Sequence, residues 1–159
     1  MIQPLLEDLA ECLCAQIHED GSPELCFCGI MPGDGFVAEY AGDCNDRCGA
    51  AYVRLTQAYP SVTAGQPDVT RNNCGASLGI DIEIGIIRCA PMPNSRGEAP
   101  PPAEVLAAAR QQSKDILTMR KAVLCCNELK AHDYIMGTYT PVGPQGDALG
   151  GFWTLAVTF

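Results

Sequence analysis

The chain has 159 residues, with 19 acidic against 10 basic side chains and a formal net charge of −9. That length suits one domain with a real core. With 47% hydrophobic and 18% charged residues, the composition excludes a disordered chain. A pI near 4.5 argues against broad electrostatic binding to DNA, RNA or anionic membrane, each of which needs a basic surface.

The excess charge is lopsided. Residues 1–46 hold ten acids (Glu7, Asp8, Glu11, Glu19, Asp20, Glu24, Asp34, Glu39, Asp43, Asp46) and no Lys or Arg. All ten basic residues follow, with the other nine acids. The start, Met1-Ile2-Gln3-Pro4, has no basic residue, and Glu7, Asp8 and Glu11 break its apolar run. It therefore does not read as a secretory signal, and no apolar run approaches the roughly 18 residues that would span a bilayer. Folding in a cytosol is expected, which sits awkwardly with ten cysteines. At about 6% of the chain, cysteine still falls below the level of a disulfide scaffold.

Residues 4–18 are predicted as an amphipathic helix with Leu5, Leu6, Leu9, Leu13 and Ile17 on one side. Pro4 suits the first turn, and the early acids complement the helix dipole. Glu19 to Pro23 is a stop. Leu25 to Met31 and Phe36 to Tyr40 are predicted as the arms of a hairpin, turning at Pro32-Gly33-Asp34-Gly35. A loop from Ala41 to Gly49 carries Cys44 and Cys48.

Ala51 to Tyr59 is expected as a strand, with Ala51, Val53 and Leu55 opposite Tyr52, Arg54 and Thr56. Residues 60–74 form a long polar loop, of a length that is usually functional. Then Leu78, Ile80, Ile82, Ile84 and Ile86 alternate with Gly79, Asp81, Glu83, Gly85 and Ile87. Period two predicts a strand with one buried and one polar face.

After an irregular Pro/Gly-rich stretch, a second helix is expected from Pro101 or Pro102 to about Asn127. Its stripe is Val105, Ala109, Ile116, Met119, Val123 and Cys126, interrupted by Gln112. Tyr134 to Thr140 and Phe152 to Phe159 are predicted strands around a glycine-rich turn at 141–151. The resulting fold class is α+β: an antiparallel sheet of four to five strands, with two amphipathic helices packed on one face. Nothing divides residues 1–159 into more than one domain.

Catalysis has little support. His18 sits among acids at a helix end, His132 sits in a turn, and nothing links either to a cysteine. Phosphate loops, dinucleotide fingerprints and nucleophile elbows are absent. The thiolates of Cys26, Cys28, Cys44 and Cys48 could make a zinc site. Cys26 and Cys28 would share a strand face, but the spacing is loose. The alternatives are buried thiols or disulfides. Cys12 and Cys14 cannot face each other on a helix, and of Cys125 and Cys126 the stripe turns Cys126 inward. Cys44, Cys48, Cys89 and Cys126 are the favoured bridge partners. The acidic first third, with Glu39 and Asp43, reads by default as a solvated face. The sharper alternatives are a DNA-repelling pore wall, or a contact to a neighbouring copy's basic patch at Arg47, Arg54 and Arg71.

Five stretches in order carry a family likeness. They are Cys48-Gly-Ala-Ala-Tyr-Val-Arg-Leu55 with Tyr59-Pro60-Ser61, Gly75 through Ile86-Ile87-Arg88-Cys89-Ala90-Pro91, Cys125-Cys126, Gly137-Thr-Tyr-Thr-Pro-Val-Gly-Pro-Gln-Gly146, and Gly150-Gly-Phe-Trp-Thr154. Together they resemble the tail terminator proteins of tailed phages infecting actinobacteria. Tyr52 or Tyr139 stands where tryptophan is common in that family.

The resemblance implies a virion protein of the lambda-type terminator kind, with no enzyme activity and no cofactor. Such a protein would be assembled in the host cytoplasm and located at the tail–neck junction, away from membrane. It would form a hexameric ring that caps the head-proximal end of the tail tube, stops polymerisation and joins the head-to-tail connector. Genomic DNA would pass through without sequence recognition. Ring closure needs a heterologous contact. The loops 60–74 (Pro67, Asn72, Asn73) and 141–151 (Pro144, Gln145, Asp147) are the candidate contacts to tube or neck. The alternatives are a stopper or adaptor of the same neck, or a cysteine-based zinc or redox module.

Overall fold

A computed structural model describes residues 1–33, 43–44, 47–68, 77–145 and 147–159. The elements are α1 (Ile2–Glu19), β1 (Phe27–Ile30), β2 (Asp43–Cys44), β3 (Arg47–Cys48), β4 (Ala50–Pro60), β5 (Leu78–Cys89), α2 (Pro102–Cys125), a 3-10 turn (Leu129–Ala131), β6 (Asp133–Gln145) and β7 (Ala148–Thr158). A five-stranded sheet runs β1-β4-β5-β7-β6, and β2 and β3 form a separate two-residue ladder. Both helices lie on one face of the sheet, so the architecture is α+β.

α1 forms because Leu5, Leu6, Leu9, Leu13 and Ile17 recur at helical spacing and all are buried, with Ala10 beside them. It starts at Ile2, so Glu7 and Asp8 fall beyond the first turn, where the dipole argument made for them has faded. Its end is a Schellman cap. The Ser22 N–H donates to the Ile17 carbonyl and the Gly21 N–H to the His18 carbonyl, which requires the left-handed φ of +62° at Gly21. Asp20 then ties α1 to α2, accepting from the Thr118 hydroxyl at 2.7 Å and from the Lys121 ammonium at 2.9 Å. The Thr118 bond first, then Lys121, holds the Asp20 carboxyl below its ordinary range.

The isoleucine ladder is the centre of the core. Ile80, Ile82, Ile84 and Ile86 are fully buried against Leu9, Leu13, Met119 and Val123. In register they meet Ala51, Val53 and Leu55 of β4 on one side, and Trp153, Leu155 and Val157 of β7 on the other. The Trp153 indole N–H donates to the Ile116 carbonyl, fixing α2 across β7.

Five expectations need correction. The sheet is not wholly antiparallel, because β1 pairs parallel with β4, Phe27 opposite Ala50 through Ile30 opposite Val53. A parallel pair cannot be closed by a short hairpin, and the chain returns through residues 31–49 before β4 begins. Phe36 to Tyr40, the expected second hairpin arm, lies outside the described residues. Within 41–49, expected as loop, β2 and β3 pair antiparallel.

Residues 141–151 are not a long loop. β6 runs to Gln145 and β7 starts at Ala148, with Pro141 opposite Gly151. Pro141 and Pro144 fit because β6 is an edge strand, where a missing N–H costs no ladder bond. Of the 60–74 loop, the Ser61 hydroxyl pins the first part. It accepts from the Thr63 N–H and lies 2.6–2.7 Å from the Thr63 and Gln66 carbonyl oxygens.

The inner stripe of α2 also differs. Asp115, Thr118, Met119, Ala122 and Val123 are its buried residues, while Val105 is half exposed. The first three turns of α2 are largely exposed, which frees them from the core pattern.

Finally, the outer face of the sheet is polar only in part. Met31, Ala50, Tyr52, Ile87 and Ala148 form a second buried cluster there. Tyr52 lies directly opposite Gly85, and a Cβ on Gly85 would sit 2.5 Å from the Tyr52 ring. Glycine is required because the ring occupies the side-chain space. Gly85→Ala is expected to lower stability by about 1–3 kcal/mol through overpacking. A urea midpoint unchanged from wild type would refute this.

Candidate assembly surfaces

Three surfaces follow from this framework. The first is the outer side of α1, where Glu7, Glu11 and Glu19 are exposed along the helix and only Ala15 interrupts them with an apolar group. It carries three of the ten acids of the first third.

The second surface is the outer face of the sheet below the Tyr52 cluster. Arg54 donates through Nε to Glu83 Oε2 at 2.6 Å, in a pair whose side chains are only 10% and 13% exposed. Its guanidinium also lies 5.3 Å from the centre of the Tyr52 ring. A bulge between Leu55 and Gln57 shifts the register and turns Tyr59 to this same face, opposite Gly79. There the Tyr59 hydroxyl donates to Asp81 at 2.7 Å.

Burial, then the Glu83 charge, pushes the Tyr52 phenol up to about 12. Burial and the bond to Asp81 do the same for Tyr59, to about 12. A phenol whose folded pKa is raised keeps its full contribution below the ordinary value of 10.0, and loses it as pH climbs towards 12, because the unfolded chain ionises first. Stability should therefore fall across that alkaline window. Tyr52→Phe should flatten the fall, measured by urea unfolding with free thiols alkylated. An equally steep fall in the Phe variant would remove Tyr52 from the account.

The third surface is the outer side of α2, which the sequence reading passed over. Leu106, Leu117 and Leu124 are 51%, 58% and 40% exposed. The overlooked signal is a second stripe, Leu106-Arg110-Ser113-Leu117-Arg120-Leu124, with steps of four and three residues, on the side away from Met119 and Val123. Beside its N-terminal half, a groove of about 370 Å³ opens towards the β6–β7 hairpin, lined by Pro91, Pro100, Val105, Ala109, Val142 and Leu149.

Disulfides brace these surfaces: Cys12–Cys126, Cys14–Cys28, Cys26–Cys44 and Cys48–Cys89. Each favoured bridge residue, Cys44, Cys48, Cys89 and Cys126, is in one. Three of the bridges tie the start of β1 and its return connection to α1, β2, β3 and β5. The four sulfurs weighed as zinc ligands go to three separate bridges, because Cys26 precedes β1 and pairs with Cys44 while Cys28 pairs with Cys14. Cys125 is exposed and, among the described residues, unbridged. Among the described residues, no three His, Cys, Asp or Glu side chains are grouped to hold a metal.

Of the residues expected to meet a neighbouring copy, Arg47, Arg54 and Asp43 lie among the described residues. Arg47 is exposed and pairs with Glu24 at 3.2 Å. Arg54 is buried in its sheet pair, so it is withdrawn from any outer contact. Asp43 lies in β2. Glu39 and Arg71 lie outside the described residues. Of the expected tube or neck contacts, Pro67 follows the Ser61 turn, Pro144 and Gln145 end β6, and Asp147 sits in the tight turn before β7. Asn72 and Asn73 lie outside the described residues. His132 packs edge-on against Phe159, a structural role.

Among the described residues, no helix is long and apolar enough to cross a membrane. Neither a family model nor a curated protein matches the sequence.

Proposed function

We propose that this chain is a structural, non-enzymatic subunit of a phage virion: a tail terminator. It forms a hexameric ring that caps the head-proximal end of the tail tube, stops polymerisation and presents a surface to the head-to-tail connector. One observation carries the reading. Four of the five stretches that resemble the terminator family supply the adjoining strands β4, β5, β7 and β6 of the five-stranded sheet: Cys48 to Leu55 runs from β3 into β4, Leu78 to Cys89 is β5, Gly150 to Thr154 lies in β7 and Gly137 to Gln145 lies in β6, while the fifth, Cys125-Cys126, ends α2. The likeness therefore covers a contiguous fold unit rather than scattered surface. Its glycine and aromatic positions are ones the packing requires, as Gly85 beneath Tyr52 illustrates.

Two further features support the reading. The subunit has unlike faces, acidic on α1 and basic with leucines on α2, as a head-to-tail ring needs. The four bridges among the described residues suit a particle that leaves the cytosol and persists in oxidising surroundings.

The test is size measurement by light scattering of the purified chain, alone and with tail tubes, together with imaging of the tube ends. A hexamer seated on tube ends, with tubes that stop growing, is the expected result. A monomer in both conditions would overturn the proposal.

A further inference from the structure

Among the described residues nothing covers the outer face of α2, yet its composition specifies what covers it. Three leucines there are about half exposed, alternating with Arg110 and Arg120 along a stripe of four- and three-residue steps. That is the spacing of a helix seam. Arg110, Lys114 and Arg120 make no ion pair among the described residues, whereas Lys121, nearer α1, is held by Asp20.

The pattern excludes one occupant directly. If α2 paired with a second α2 antiparallel, centred near Asp115, Arg110 would face Arg120. If the pair were parallel and in register, each arginine would face itself. Like charges across a seam repel, so the stripe disfavours a two-fold α2 pair and selects an acidic helix.

The molecule displays such a helix. On α1, Glu7, Glu11 and Glu19 are exposed on the side opposite Leu9 and Leu13, with Ala15 among them. The spacing also matches. Arg110 and Arg120 are about 15 Å apart along their axis, and the Glu7–Glu11 pair lies about 12–18 Å from Glu19 along its own. The glutamate stems and Ala15 supply apolar surface for Leu117 between the charged contacts. We infer that the outer face of α2 docks on the outer face of α1 of a second copy. The contact joins unlike patches, and it closes a ring when each subunit gives its α2 to one neighbour and its α1 to another. The inference rests on the ring reading above and names its subunit interface.

The test is charge reversal in the full-length chain, with association read by sedimentation in low salt and on tail tube ends. R110E/R120E and E7K/E11K are each expected to weaken self-association by at least about tenfold. An equimolar mixture of the two variants should restore it, since each reversed α2 then meets a reversed α1 and each native α2 a native α1. All four positions are exposed, and circular dichroism of each variant alone checks that it is folded. If wild type forms rings and either reversal leaves them intact, or the mixture fails to recover, the α2–α1 interface is wrong while the ring reading stands. If wild type forms no ring even on tube ends, both fall.

Discussion

Replacing Asp115 by alanine is expected to destabilise the protein by about 3–5 kcal/mol, a large part of the stability of a domain of this size. Asp115 is a carboxylate on the buried side of α2, and its partner Arg88 is near the end of β5. The guanidinium donates through Nε at 2.6 Å and Nη2 at 2.9 Å, a two-point contact, with side chains only 12% and 5% exposed. Arg88 Nη1 also donates to the Pro23 carbonyl at 3.1 Å, and Gln111 donates to Asp115 at 2.9 Å. The pair therefore joins the turn after α1, the central sheet and α2. Alanine would leave a mostly buried cation opposite an empty volume, which costs more than the pair itself contributes. Joint replacement of both residues by leucine should consequently cost much less than the two single changes added together. Urea unfolding of Asp115→Ala, the two single leucine variants and the joint variant gives the comparison. A loss under about 1 kcal/mol for Asp115→Ala would refute the argument.

The second large effect is expected from Cys12–Cys126. This bridge joins α1 to the residue after α2, with the α-carbons 5.7 Å apart and a sequence separation of 114. In the chain-entropy description, a loop of that size restricts the unfolded chain by about 4–5 kcal/mol, against about 3 kcal/mol for the 14-residue separation of Cys14–Cys28. Cys12→Ala with Cys126→Ala should therefore lower stability more than the corresponding pair at Cys14 and Cys28, by about 1–2 kcal/mol. Cys126 is also fully buried, so the first pair loses packing as well. Denaturant midpoints of the two double variants, with bridges mapped by mass spectrometry without reduction, make the check. A reversed order would refute the loop-closure account of these bridges.

These two predictions differ in how far the sequence foretells them. Cysteine spacing was enough to turn Cys126 inward and to keep Cys12 from Cys14, because both follow from helix geometry within one element. It could not pair Cys12 with Cys126, since that depends on α1 and α2 lying side by side. Asp115 was invisible for the same reason. A carboxylate in an apolar stripe reads as solvated until the sheet brings Arg88 beneath it. Arg54 shows the converse: an exposed basic patch was the natural reading of an arginine in an alternating strand, and Glu83 on the neighbouring strand withdraws it.

The candidate surfaces divide the same way. The acidic side of α1 was legible because its charge and its leucine stripe lie within one helix. The outer stripe of α2 was hidden by the expectation that Val105 and Ile116 faced the core. Only the short reach of the sheet along α2 shows that its first turns stand clear.

Sequence alone determined the α+β class, the two helices, the isoleucine strand and its buried face, and the charge imbalance. Each of these is set by periodicity or composition within a single segment. Tertiary structure decided the parallel β1–β4 pair, the bridge partners, the bulge that turns Tyr59 outward, the buried Arg88–Asp115 and Arg54–Glu83 pairs, and the exposure of the outer stripe of α2. Each of those depends on which segments become neighbours, and that is settled by burial of the whole core rather than by any local pattern.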